Sequence, residues 1–209
     1  EYREGGGHLA LSVNVSEDLE AFTRWLIRTG GKRQLNVTCS VLDLGCGNGR
    51  NLIYLAENYG MHGVGYDISR EATLQAKKLS EGYQLEYEAR SIAGDIPLPD
   101  NSQTLVLDMK TSHFLLKAER AHLRAEVARV LKPGGRYFLK TFLLDGDRNA
   151  GRLLHENPAE EEGSYIHPII GVPEHVFTVP ELEEELFGLF EVKKISKSHR
   201  HIKDGKAFK

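Results

Sequence analysis

Val41-Leu42-Asp43-Leu44-Gly45-Cys46-Gly47-Asn48-Gly49-Arg50 joins a short apolar run to three alternating glycines. Val41, Leu42 and Leu44 read as a strand covered on both faces, and Gly45, Gly47 and Gly49 remove side chains where the chain must turn. From Asn51 the spacing becomes helical, with Leu52, Leu55 and Ala56 on one side. The turn is therefore predicted to present free N–H groups over bare backbone at a helix N-terminus, a place for a polar or anionic group.

Upstream, Ser16 is a candidate N-cap, and Leu19, Phe22, Trp25 and Leu26 mark one helix face as far as Gly30-Gly31. That helix is expected to lie across the sheet. Residues 1–15, with Gly5-Gly6-Gly7, read as a flexible arm whose Tyr2, Arg3 and His8 either close over a ligand or fray as an ordinary terminus.

Downstream come a strand over 61–67 ending in Asp67, a helix over 70–79, a strand over 85–91 and a turn-rich loop over 94–102. A strand over 104–109 follows, then a helix with Leu116, Leu123, Val127 and Val130 on one face. Lys132-Pro133-Gly134-Gly135 stops that helix before a strand over 137–142. Strands alternating with helices mean right-handed crossovers and a doubly wound α/β fold with a parallel sheet. Residues 145–177 break the rhythm and read as a long loop without clear helix or strand, an inserted lid or acceptor-binding element. Thr178-Val179-Pro180-Glu181 is a capping box that launches a helix through Leu182, Leu186 and Phe187. Two final strands are predicted over 190–196 and 199–208, joined tightly enough to be antiparallel.

A chain of 209 residues, 40% hydrophobic and 27% charged, fits a single soluble domain over 1–209. It has no apolar run of bilayer-spanning length, and its first residues lack a secretory pattern, so a cytoplasmic protein is expected. Cys39 and Cys46 flank a predicted strand and read as reduced thiols. The net charge of −3 argues against a globally basic nucleic-acid binder. Residues 193–209 nevertheless hold seven Lys or Arg and one acid, which makes either a solvated hairpin face or an edge for RNA.

Glycine spacing separates this turn from a dinucleotide fingerprint, because Arg50 stands where the third glycine of G-x-G-x-x-G belongs. Asp67 ends the second strand 22 residues after Gly45, where a carboxylate accepts hydrogen bonds from ribose hydroxyls. Asp95, in the loop after the third strand, is placed to meet an exocyclic amine.

Together with Gly65-Tyr66-Asp67-Ile68-Ser69, Gly94-Asp95-Ile96-Pro97-Leu98-Pro99 and Leu131-Lys132-Pro133-Gly134-Gly135, the opening stretch resembles the class I S-adenosylmethionine-dependent methyltransferases over roughly residues 38–142. The resemblance implies a Rossmann-like, mostly parallel seven-stranded sheet whose C-terminal strand is antiparallel. It implies S-adenosyl-L-methionine as cofactor and S-adenosyl-L-homocysteine as product. Asp43 and the turn Gly45, Cys46, Gly47 and Asn48 would hold the methionine end, Asp67 the ribose, and Ile68 the adenine, with Asp95 and Ile96 at the adenine edge.

Ligands meet parallel sheets at the carboxyl ends of strands, so acceptor chemistry is expected in Asp108-Met109-Lys110-Thr111-Ser112-His113. His113 is the candidate base or acceptor-orienting group, Asp108 lies nearer the cofactor amine, and Lys110 and Thr111 face the acceptor. The stretch departs from the N/D-P-P-Y/F pattern that resembles amino-group methylation of bases and glutamine. Tyr165, His167 and His175 are candidate acceptor-pocket residues, and their spacing is not that of a compact metal motif, so no metal is expected. A small-molecule acceptor is favoured because the lid is internal. RNA or protein methylation, and a non-catalytic cofactor-binding module, are the alternatives.

Overall fold

Val41 packs on one side of its strand and Leu42 and Leu44 on the other, as a strand covered on both faces requires. In the computed structural model, which describes residues 12–197, 202–203 and 206–207, this strand is β1 (Ser40–Leu44), the centre of a parallel sheet. The other strands are β2 (His62–Asp67), β3 (Leu85–Ala89), β4 (Gln103–Met109) and β5 (Leu131–Lys140), in the order β3-β2-β1-β4-β5. Helices α1 (Glu17–Gly30), α2 (Arg50–Tyr59) and α3 (Arg70–Leu79) contribute to one core layer, with Val41, Leu105 and Leu107. Helix α4 (Lys117–Val130) covers the other face through Leu123, Val127 and Val130 against Leu42, Leu44 and Val106. The order reverses between β1 and β4, which opens the crevice at the carboxyl ends where such sheets bind ligands.

Helix α1 does lie against the sheet. Phe22 stacks on Phe138 of β5, with centroids 4.3 Å apart, and Asp18 pairs with Lys140. Both cysteines are buried free thiols. No helix among the described residues is long and apolar enough to cross a membrane.

Several expectations need correction. Helix α4 ends at Val130 and β5 starts at once, so the Pro133-Gly134-Gly135 segment bulges within a strand instead of preceding it, with a register shift between Gln103 and Leu105. Residues 145–177 are not a structureless loop. They contain α5 (Arg148–Glu156) and an antiparallel ribbon of β6 (Ser164–Ile166) and β7 (Pro173–His175). Asp147 caps α5 by accepting from the N–H groups of Asn149 and Ala150 at 2.9 and 3.1 Å. Ala150, Leu153, Tyr165 and Val176 then make a small core of their own. Helix α6 (Val179–Leu186) begins at the predicted capping box, with Thr178 Oγ1 accepting from the Glu181 N–H.

Residues 190–196 form no strand. Phe190 instead turns its ring onto Tyr137, 5.2 Å away, and Glu191 pairs locally with Lys193. Among the described residues the central sheet has five strands, not seven, and β8 (Ile202–Lys203) and β9 (Lys206–Ala207) form a separate antiparallel hairpin. Most of residues 198–209, and the arm over 1–11, lie outside the described residues, so the RNA-edge and arm-closure expectations fall largely there.

Candidate active site

Register explains how the strand ends converge. Asp43 pairs with Gly65, and Asp67 follows two residues later on β2, so alternation puts both carboxylates on one face with a bare glycine between them. Asp108 pairs with Leu44 and therefore points to the opposite, α4 side. Gly65 has to be bare, since a Cβ there would sit 2.8 Å from Cys46 Cβ and Sγ. Gly65→Ala is accordingly expected to cost about 1–3 kcal/mol of stability through overpacking. Urea unfolding checks this, and an unchanged midpoint would show that the turn yields freely.

The glycine turn offers fewer N–H groups than its sequence suggests. The Gly45 and Cys46 N–H groups both donate to the Tyr66 carbonyl, at 2.7 and 2.9 Å, and the Gly47 N–H donates to Asp67 Oδ2 at 2.8 Å. The turn is thereby strapped to the end of β2. Gly45 and Gly49 have φ of 76° and 77°, and a Cβ at Gly45 would strike Thr111 Oγ1 at 2.2 Å. Thr111 thus lies directly against the turn, following Lys110, whose φ of 65° is a left-handed conformation unusual for a residue with a side chain. The N-terminal segment reaches the same place, since Asn48 and Arg50 side chains donate to the Ser12 carbonyl at 3.3 and 3.2 Å.

Asp43 is 1% exposed, and neither carboxylate oxygen has a hydrogen-bond partner among the described residues. Burial pushes its pKa up to about 7, the Asp67 and Asp108 charges push the same way, and Arg50 opposes them. Burial, with the Asp43 and Asp67 charges, also drives the Cys46 thiol upward, so this sulfur stays neutral. Asp67 is buried, and its second oxygen accepts from the Ser69 N–H at 2.8 Å. Two of a carboxylate's roughly four lone-pair sites remain for a ligand. Ile68, next along the chain, is 82% exposed. A buried acid lacking a partner, a second acid with spare acceptor capacity, bare glycines and an exposed apolar side chain fit a cationic amino acid joined to a ribose and an aromatic base.

The other expected residues lie elsewhere. The Asp95 side chain is 88% exposed and meets His122 Nε2 at 2.9 Å, so it turns toward α4. Ile96 fills the core under the sheet, and its N–H donates to Glu126 at 2.7 Å. Asp108 accepts from the Ser112 N–H at 3.0 Å, the Tyr137 hydroxyl at 2.9 Å and Arg124 at 3.4 Å. These contacts tie its carboxylate to β5, α4 and the turn that follows β4. His113 is buried on the 3₁₀ turn Ser112–Phe114, between the rings of Phe114 and Phe142 at 4.2 and 5.1 Å. Strand β7 packs on that turn. The Lys110 ammonium lies 4.6 Å from the Phe142 ring centroid.

The ribbon divides the three expected pocket residues: Tyr165 and His167 meet at Glu174, while His175, paired with Ser164, faces the other side. Tyr165 donates to Glu174 at 2.6 Å, and His167 Nε2 lies 3.8 Å from the same carboxylate. His175 contacts Ser164 and Glu181, each at 2.9 Å, and burial together with Arg120 lowers its pKa. No group of three or more His, Cys, Asp or Glu that could hold a metal ion occurs among the described residues.

Two buried arginines had no place in the sequence reading. Arg120 donates to Glu161 at 2.7 Å and Glu185 at 3.0 Å, and Arg124 bridges Glu185 and Asp108, each at 3.4 Å. Arg124 also reaches Tyr137 at 2.7 Å. Their spacing was the available signal, because positions 120, 124 and 127 share the apolar stripe of α4.

A "Methyltransferase domain" family model matches residues 41–135. The chain is 33% identical over 130 residues to 27-O-demethylrifamycin SV methyltransferase of Amycolatopsis mediterranei, covering 60% of this chain and 46% of that one. It is 34% identical over 134 residues to fatty-acid O-methyltransferase of Mycolicibacterium smegmatis, covering 64% and 47%. The chain thus spans about half the length of these curated relatives. Among solved structures, a SAM-dependent methyltransferase of Methanosarcina mazei aligns with TM-score 0.64 and 28% identity, over 73% of this chain and 79% of that one. Glycine turn, strand-end carboxylates, sheet order and these likenesses all converge on one conclusion: residues 41–135 match a methyltransferase domain, in a chain whose fold is similar to that of the class I S-adenosylmethionine-dependent methyltransferases.

Proposed function

We propose that this chain moves a methyl group from S-adenosylmethionine to a small-molecule acceptor bound where β4 ends, beside His113. The observation that carries the cofactor half is Asp43, a buried carboxyl without a partner beside a glycine turn and a second acid. The cofactor supplies an electrophilic methyl group on a sulfonium, and displacement then asks the protein chiefly for alignment. Asp43 takes the ammonium of the methionine end. Asp67 accepts from the ribose with the lone pairs left over by Gly47 and Ser69. Ile68 covers the adenine, while Asp95 and Ile96 anchor the neighbouring loop to α4.

On the acceptor side, His113 takes the proton that an oxygen, nitrogen or carbon acceptor must lose. Lys110 and Thr111 border the approach, and Tyr165, His167 and His175 brace the ribbon that packs over the turn. The small-molecule reading is supported by the two curated relatives, named for 27-O-demethylrifamycin SV and for a fatty acid.

Incubating the protein and radiolabelled S-adenosylmethionine with small-molecule, RNA and protein fractions of an extract is expected to label the small-molecule fraction. Label confined to RNA or protein overturns the acceptor class, and label in none of them favours a binding module. With the labelled acceptor in hand, His113→Ala is expected to slow transfer by about 10²–10⁴-fold. A parental rate removes His113 from the role of base.

A further inference from the structure

Asp43 poses an electrostatic problem in the ligand-free protein. Its carboxyl is buried, its two oxygens find no donor among the described residues, and the carboxylates of Asp67 and Asp108 stand on the neighbouring strands. The Cys46 thiol from the turn and the Tyr87 phenol from β3 also face it, both neutral, because burial raises each one's pKa. Arg50, from α2, opposes the shift at Asp43 and is engaged with the Ser12 carbonyl, while Arg124 pairs with Asp108 on the other side of the sheet. A carboxylate in that setting is held by nothing, whereas a carboxyl with its proton meets no repulsion.

We propose that Asp43 keeps a proton while the site is empty and releases it when the methionine end of the cofactor enters, so that cofactor uptake is coupled to loss of one proton to solvent. The inference rests on the cofactor assignment made above and adds the proton balance. The ligand's ammonium supplies the counter-charge and donors that the empty site lacks, and the carboxyl O–H bond is given up to solvent as that contact forms. No other bond changes. S-adenosylhomocysteine carries the same ammonium, so product binding releases the proton as well. Asp43 thereby makes the site selective for a protonated amine and weakens uptake in acid.

The test is calorimetric titration of the ligand-free protein with S-adenosylmethionine and, separately, S-adenosylhomocysteine, in buffers of differing ionisation enthalpy. The pH stays between 6 and 7, where the ligand ammonium is itself protonated. Release of about 0.9 proton per ligand at pH 6 and about 0.5 at pH 7 is expected, with affinity rising by about fivefold over that unit. Asp43→Asn is expected to abolish the release. It should also raise the unfolding midpoint of the ligand-free protein more at pH 8 than at pH 5, since the raised pKa costs stability progressively from the unfolded carboxyl's range upward and in full only above about pH 7. Binding of both ligands without proton release overturns the proposal and spares the cofactor assignment. Absence of any binding heat across this range, with no competition by either ligand in equilibrium dialysis, overturns both.

Discussion

Arg124→Ala is expected to lower the unfolding free energy by about 3–5 kcal/mol, the typical consequence of removing one member of a buried ion pair. The Arg124 side chain is 1% exposed and contacts four groups drawn from four segments: Asp108 on β4, Ser112 on the following turn, Tyr137 on β5 and Glu185 on α6. Without the guanidinium, Asp108 is a fully buried carboxylate left with Ser112 and Tyr137 as its donors. Glu185 retains Arg120 at 3.0 Å and is 13% exposed, so Glu185→Gln should cost less. Equilibrium urea unfolding of the two variants checks the order. A loss below about 1 kcal/mol for Arg124→Ala would mean that water or rearranged partners satisfy Asp108.

Asp67→Ala is expected to weaken S-adenosylmethionine at least tenfold, about 1.4 kcal/mol, in titration calorimetry. Two losses add there. The ribose loses its acceptor, and the Gly47 N–H loses the oxygen that straps the glycine turn to β2 at 2.8 Å. Asp67→Asn keeps one acceptor oxygen of similar shape and should fall between the two. Undiminished binding by the alanine variant refutes the ribose assignment, while a loss equal in both variants assigns the effect to charge.

Much of the cofactor half was legible because it is written in local chemistry. Glycines at 45, 47 and 49 are demanded by positive φ or close approach, and an acid closing β2 is a one-residue signal beside an apolar strand. The contacts of Asp108 were not legible, because its direction is set by parity. It shares a face with Val106 and thus points to α4, which alternation along β4 already implied. The partners that capture it, Arg124 and Tyr137, lie 16 and 29 residues away in sequence. The Asp95–His122 contact was hidden for a related reason, since nothing local to the loop reveals that His122 waits one turn along α4. The segment over 145–177 looked structureless because its helix has nine residues and its strands three each, too short to display a period. Its order comes from a cap at Asp147 and from a core shared with Phe142 and Leu144, which no window of sequence contains.

The two guanidinium groups of α4 also draw a boundary. Arg120 and Arg124 sit inside the stretch that the family model covers, as does Asp108, one partner of Arg124, whereas Glu161 and Glu185, which pair with Arg120 and complete the pairing of Arg124, sit beyond it. The unit of recognition, residues 41–135, is therefore smaller than the unit of folding. Cutting the chain at the edge of the former would strand Arg120 without either of its acids and leave Arg124 with Asp108 alone. Any segment put in place of the one after residue 135 must bring its own acids to the same helix, so exchange of the cap is constrained by charge before it is constrained by shape.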